Sequence, residues 1–253
     1  MTLRRLFQGI IAVAGMTVIM TLTTFAGVKD AGFLISNKHG YIFNAISGSD
    51  ISENYAQAEK ILNTACPAVG MTTLNKTYGT NTGSILIPAD GVDKIDSIQN
   101  QVNVWLAANI QTIIPQGTPA EDILNIAADW VADQMNYDYA AIGNPELGYS
   151  YQSALNCFTE GKGVCATYAY AFNSIVSAVP VANDIVDYSA SNPSYLATRF
   201  VYNTDHAWSA INENGTWHFY DVCNYDANRD KSYLGMNQDK LNNGDYRNIR
   251  ITF

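Results

Sequence analysis

The chain has 253 residues, with 14 Lys and Arg against 23 Asp and Glu for a net charge of −9, and 47% of it is hydrophobic. Such a chain can bury one sizeable core or two small ones, which excludes a disordered or fibrous protein. It has no basic block beyond Arg4-Arg5, so it lacks the positive charge that neutralises phosphates, and nucleic acid is excluded as a partner. Charged residues make up 15%, while Tyr alone numbers 16, a lightly charged surface that points to the cell exterior.

Arg4 and Arg5 precede an uncharged, mostly apolar run over residues 6–26, which opens on Leu6 and closes on Thr24-Phe25-Ala26. A positive start, an apolar stretch and small residues at a cleavage point read as an export signal. At ~1.5 Å per residue the run is also long enough to span a bilayer, so cleaved leader and retained anchor both remain open. Either places the protein as secreted or cell-surface, with the membrane touched only through this run if it is uncleaved.

Residues 51–65 have helical spacing, with Tyr55, Ala58, Ile61, Leu62 and Ala65 on one face. Loops rich in Gly, Thr and Asn follow, interrupted by a short strand at 84–87, and a helix is expected over 95–110. Gly117-Thr118-Pro119-Ala120-Glu121 is a helix start, with Thr118 as cap, Pro119 at the first helical position and Glu121 closing a capping box. From there Ile123, Leu124, Ala127, Trp130, Val131 and Met135 form a core-facing stripe. The chain divides into a leader or anchor (1–26), a partly helical N-terminal region of open role (27–110) and a C-terminal domain (111–253).

Gly161-Lys162-Gly163-Val164-Cys165 introduces a helix in which Cys165, Tyr168, Ala169, Phe172, Val176 and Val179 share a face. Cys165 therefore sits in the first helical turn, where unpaired N–H groups and the positive dipole end favour a thiolate. Further on, the alternating segments at 205–211 and 216–222 flank the turn Asn212-Glu213-Asn214-Gly215 and predict a hairpin. A two-residue loop sets position 208 opposite 221 and 206 opposite 223; a four-residue loop sets 206 opposite 221. In both registers His206 and Asp221 share a face within about 4.5–8 Å at Cβ. A carboxylate so placed fixes the tautomer of an imidazole and steadies its protonated form. His218 has the other parity and is expected to face away.

Four cysteines, Cys66, Cys157, Cys165 and Cys223, fit no zinc spacing. In an exported chain they predict two disulfides, or one bridge and a reactive thiol. The run from Asp226 to Ser232 alternates oxygen ligands but has Lys231 and Asn237 where a calcium loop needs Gly and Glu. No metal or other cofactor is predicted.

Gly161-Lys162-Gly163-Val164-Cys165-Ala166-Thr167-Tyr168-Ala169, Asp205-His206-Ala207-Trp208 and Gly215-Thr216-Trp217-His218-Phe219-Tyr220-Asp221-Val222 together resemble the three ordered blocks of the transglutaminase-like (papain-like cysteine peptidase) superfamily. The resemblance runs from about Thr118 to the C-terminus. It implies an α+β fold in which a Cys-bearing helix packs on an antiparallel sheet carrying His and Asp. It further implies Cys165 as nucleophile, His206 as general base and then acid, and Asp221 as the orienting carboxylate. An oxyanion pocket would combine the Cys165 N–H with a side chain of the preceding loop, Tyr151 or, preferred as an amide donor, Gln152. With Cys165 as the free thiol, Cys157–Cys223 is the bridge most consistent with the hairpin, and Cys66 to either is the alternative. The activity implied is cysteine-dependent acyl transfer on peptide or protein amides through a thioester, with hydrolysis preferred. The alternatives are a protein cross-linking transglutaminase and a non-catalytic surface binding module that keeps the fold.

Overall fold

The structure is a computed structural model that describes residues 33–36, 40–43, 68, 77–78, 85–87, 89–142, 144, 147, 151–183, 196–213, 215–242 and 246. The chain forms two units, Met1–Ile61 with Asn75–Val92, and Leu62–Leu74 with Asp93–Phe253. The leader or anchor run, the helix expected at 51–65 and Cys66 lie outside the described residues. Among the described residues no helix is long and apolar enough to cross a membrane.

The first unit holds short strands β1 (Phe33–Ser36), β2 (Gly40–Phe43), β3 (Thr77–Tyr78) and β4 (Ile85–Ile87). They form an antiparallel sheet in the order β1-β2-β4-β3. The strand expected at 84–87 is β4.

Helix α1 (Ala89–Ile113) is longer than the expected 95–110. Ile98, Val102, Leu106 and Ile110 recur every fourth residue and are all buried, the stripe that makes this helix amphipathic. Helix α2 (Ala120–Gln134) starts one residue after Pro119. Thr118 does not cap it: its hydroxyl donates back to the Pro115 carbonyl at 2.7 Å. The turn from Pro115, with Gly117 at φ +83°, closes on the Thr118 N–H and takes the hydroxyl with it. The predicted α2 stripe is buried at Ile123, Leu124, Ala127, Val131 and Met135. Trp130 is half-buried and joins an aromatic cluster with Trp105 of α1 and Phe158, in which Trp105 and Phe158 stack at 4.4 Å.

Strand β5 (Asn136–Tyr137) pairs in parallel with β6 (Lys162–Gly163), and α3 (Ala154–Glu160) lies between them in sequence. Helix α4 (Cys165–Asn183) follows at once. It is buried on every side: Tyr168, Phe172, Val176 and Val179 on the predicted face, and also Thr167, Tyr170, Ala171, Asn173, Ser174 and Ile175. The reason is that α2, α3 and the sheet β7-β8-β9 all pack on it. Each large apolar side chain so buried contributes about 1.5–3 kcal/mol relative to exposure.

Strands β7 (Ala197–Tyr202), β8 (Ala207–Glu213) and β9 (Thr216–Tyr220) form an antiparallel sheet in that order. One face meets α4 through Phe200 stacked on Tyr170 and Tyr220 on Phe172. The other face carries Val201, Trp208, Ala210 and Phe219, covered by Met236, Leu241 and Tyr246. Helices α5 (Val222–Asn228) and α6 (Gln238–Leu241) complete the unit. The fold is α+β, with the Cys-bearing helix on an antiparallel sheet, as the sequence predicts.

Candidate active site

Three local devices hold Cys165 at the first position of α4. Gly161 ends α3 in the left-handed region, φ +62°, where a Cβ would stand 2.7 Å from the Gln134 carbonyl. Gly163 faces Thr167 so closely that a Cβ there would lie 2.4 Å from the threonine hydroxyl oxygen. That hydroxyl accepts the Val164 N–H at 3.3 Å and donates to the Tyr151 carbonyl at 3.1 Å. Cys165 emerges half-buried and as a free thiol.

The hairpin adopts the two-residue register: Glu213 pairs with Thr216 and Ser209 with Tyr220. Strand β8 begins only at Ala207 and β9 ends at Tyr220, so His206 and Asp221 both stand just off the ladder. Asn203 fixes His206 by accepting its N–H at 2.8 Å and donating its own N–H to the His206 carbonyl at 2.9 Å. Trp208 stacks beside the imidazole, with 5.8 Å between ring centres.

Asp221 is fully buried. His206 Nε2 lies 2.8 Å from its Oδ2, and the Cys165 thiol hydrogen-bonds the same imidazole. With Nε2 committed to the carboxylate, Nδ1 is the nitrogen left for sulfur. Burial acts most strongly on the ring and opposes its charge. The hydrogen bonds and charges of Asp221 and Cys165 together outweigh it and raise the pKa from 6.5 to about 10. The ring is therefore an imidazolium at neutral pH.

Sequence reasoning missed two partners of this carboxylate. Asp221 caps α5, its Oδ1 accepting the Asn224 N–H at 3.0 Å, while Oδ2 accepts the Asn224 side-chain amide at 2.7 Å. Tyr246 Oη donates to the same Oδ2 at 2.7 Å. Reading Asp221 as a cap, with the turn Asp-Val-Cys-Asn behind it, was open to the sequence; for Tyr246 no local signal exists.

The cap also corrects the disulfide expectation. Cys223 belongs to α5 and not to the strand, so the shared face that suggested Cys157–Cys223 does not exist. Cys157 and Cys223 are separate, buried free thiols. Burial pushes both thiols up, assisted at Cys223 by the charges of Asp221, Cys165 and Asp226.

His218 pairs with Ile211 on the sheet face opposite that of Phe219. Of the oxyanion candidates, Tyr151 gives its hydroxyl to Asp138, a carboxylate also held by Lys162 Nζ at 2.9 Å. Gln152 is half-buried in the turn before α3, and its amide has no partner among the described residues. The Cys165 N–H instead lies beside the Tyr137 hydroxyl. Asp226 and Asp230, the first and fifth residues of the oxygen-rich run, are engaged by donors: Asp226 by Tyr168 at 2.7 Å and Arg229 at 3.1 Å, Asp230 by the N–H and hydroxyl of Ser232.

A thiol on a helix start, an imidazolium and a buried carboxylate thus converge from three elements. Residues 107–222 match the family model of the transglutaminase-like superfamily. The chain carries a transglutaminase-like domain. The match contains Cys165 and His206 and closes at the residue after Asp221, whereas Asn224 and Tyr246 lie beyond it. Transglutaminase-like proteins are generally cysteine-dependent acyl-transfer enzymes and peptidases. No curated protein matches the chain closely enough to add a relative.

Proposed function

We propose that the chain is an exported cysteine enzyme that transfers acyl groups from peptide or protein amides, with water as the preferred acceptor. The observation that carries this reading is the fully buried Asp221 held 2.8 Å from the ring of His206, which in turn hydrogen-bonds the free Cys165.

In this mechanism the Cys165 sulfur, as thiolate beside the His206 imidazolium, attacks the amide carbonyl carbon. The C=O electron pair moves to oxygen, which the Cys165 N–H stabilises. Collapse breaks the C–N bond, and the amine leaves with the proton given by His206. The neutral imidazole then deprotonates water, whose oxygen attacks the thioester; carboxylic acid departs and the sulfur is restored. Asp221 keeps the ring oriented and its charged form stable throughout. Water is favoured because an amine can compete for the thioester only where the enzyme binds it. Export is supported by the Arg4-Arg5 start and the apolar run to Ala26.

Iodoacetamide labelling tests the centre of the reading. Cys165 should alkylate faster than an ordinary thiol at neutral pH, and His206→Ala should abolish the advantage. A slow Cys165 would sink the enzyme assignment. Peptide cleavage or deamidation, set against incorporation of a primary amine, decides the acceptor. N-terminal sequencing of secreted protein decides the fate of the leader.

A further inference from the structure

We propose that the Tyr137 hydroxyl is the side-chain donor of the oxyanion pocket, paired with the backbone N–H of Cys165. This rests on Cys165 being the nucleophile.

The placement is built into the backbone. Strand β5 runs parallel to β6 and sets Tyr137 opposite Gly163, with Asn136 N–H bonded to the Gly161 carbonyl and Asp138 N–H to the Gly163 carbonyl, both at 2.8 Å. The phenol ring is fixed between Tyr139, at 4.8 Å, and Tyr168 on the first turn of α4, at 6.4 Å. Cys165 is the first helical residue, so its N–H has no acceptor within the helix. The Tyr137 phenol lies beside that N–H, near enough for the two groups to interact. The phenol thus borders the point where an acyl oxygen must come to stand.

When the acyl group arrives, its oxygen takes over the Cys165 N–H. The neighbouring phenol still has its proton and turns it toward the same oxygen. Burial foremost, with the charges of Cys165 and Cys223, pushes the Tyr137 pKa up to about 12, so the donor keeps that proton at working pH. Neither loop candidate is so placed: Tyr151 is tied to Asp138, and no hydrogen bond links Gln152 to the nucleophile's helix.

Two reactions at one sulfur separate the roles. Acylation by p-nitrophenyl acetate forms an S–C bond and an oxyanion, then breaks the C–O bond as p-nitrophenolate leaves. Alkylation by iodoacetamide displaces iodide and forms no oxyanion. Loss of one donor from such a pocket costs ~10²–10³-fold in rate. Tyr137→Phe should therefore slow the p-nitrophenolate burst by ~10²-fold while leaving alkylation within about twofold of wild type, and Gln152→Ala should change neither. An unchanged burst in Tyr137→Phe, a faster one, or a loss confined to Gln152→Ala would each overturn the assignment. The near-unchanged alkylation rate also reports an intact site. Should Tyr137→Phe not fold, a ring-fluorinated tyrosine at the position, nearly isosteric but a stronger donor, should raise acylation relative to alkylation; an unaltered ratio overturns the inference. A wild-type Cys165 inert to both reagents would instead condemn the nucleophile itself.

Discussion

Tyr246 donates a 2.7 Å hydrogen bond to Asp221, on the same carboxylate oxygen that receives the ring of His206. A buried bond to a charged acceptor contributes about 1.5–3 kcal/mol. Tyr246→Phe, which removes only the hydroxyl, should lower unfolding free energy by about that amount in urea or guanidinium titration. A loss under about 0.5 kcal/mol, below the usual worth of any hydrogen bond, would show that this tyrosine does not hold the carboxylate.

The raised pKa of His206 makes stability depend on pH. Below the ordinary value of 6.5 both folded and unfolded chains bind the proton, and the stabilisation is complete; above it the unfolded chain releases the proton first. The stability contributed by His206 should therefore fall as pH rises from 6.5 toward about 10. Because a Cys165 thiolate would give up on folding the proton that His206 takes up, the slope is read in a Cys165→Ser background, where denaturation midpoints measured between pH 6.5 and 9 should slope downward and become flatter when His206→Gln is added. The range stops at the ordinary thiol value of 9.0, above which the buried Cys157 and Cys223 add a slope of the same sign. Equal slopes in the two proteins would contradict the raised pKa.

Gly163→Ala should be costly despite its small size. The added methyl would stand 2.4–2.7 Å from three atoms of the Thr167 side chain, which links Val164 to Tyr151 at the head of α4. Overpacking of this kind costs about 1–3 kcal/mol. Thermal melting should report that loss, and the alkylation rate of Cys165 should fall with it. A variant as stable and reactive as wild type would show that Thr167 yields freely.

Of the three described thiols, Cys165 alone is not buried. Brief labelling under native conditions, followed by peptide mass mapping, should modify Cys165 and leave Cys157 and Cys223 untouched until denaturant is added. Rapid native labelling of either buried thiol would contradict the packing around α3 and α5.

The hairpin and the Cys-bearing helix were legible because both are local. The parity of His206 and Asp221 follows from a period of two, and the turn at Asn214-Gly215 restricts the register to a pair of choices. What was lost in reading is non-local. The amphipathic stripe on α4 suggested a single buried face, yet the partners on its other sides come from distant segments, and periodicity cannot see them. Asp221 read as a strand residue because Tyr220 and Val222 continue the alternation, while its role as a cap depends on Asn224 turning back. Tyr137 gave no signal, since its position comes from a two-residue pairing across 26 positions of chain, Tyr137 to Gly163.

A reactive thiol on a surface loop can be silenced by local fraying while the rest of a protein stays folded. Cys165 rides instead on the helix around which the second unit is assembled, with α2, α3 and a three-stranded sheet laid against it. No small opening releases that helix. Heat inactivation should accordingly track global unfolding, so that residual Cys165 reactivity is a direct gauge of how much of the population remains native.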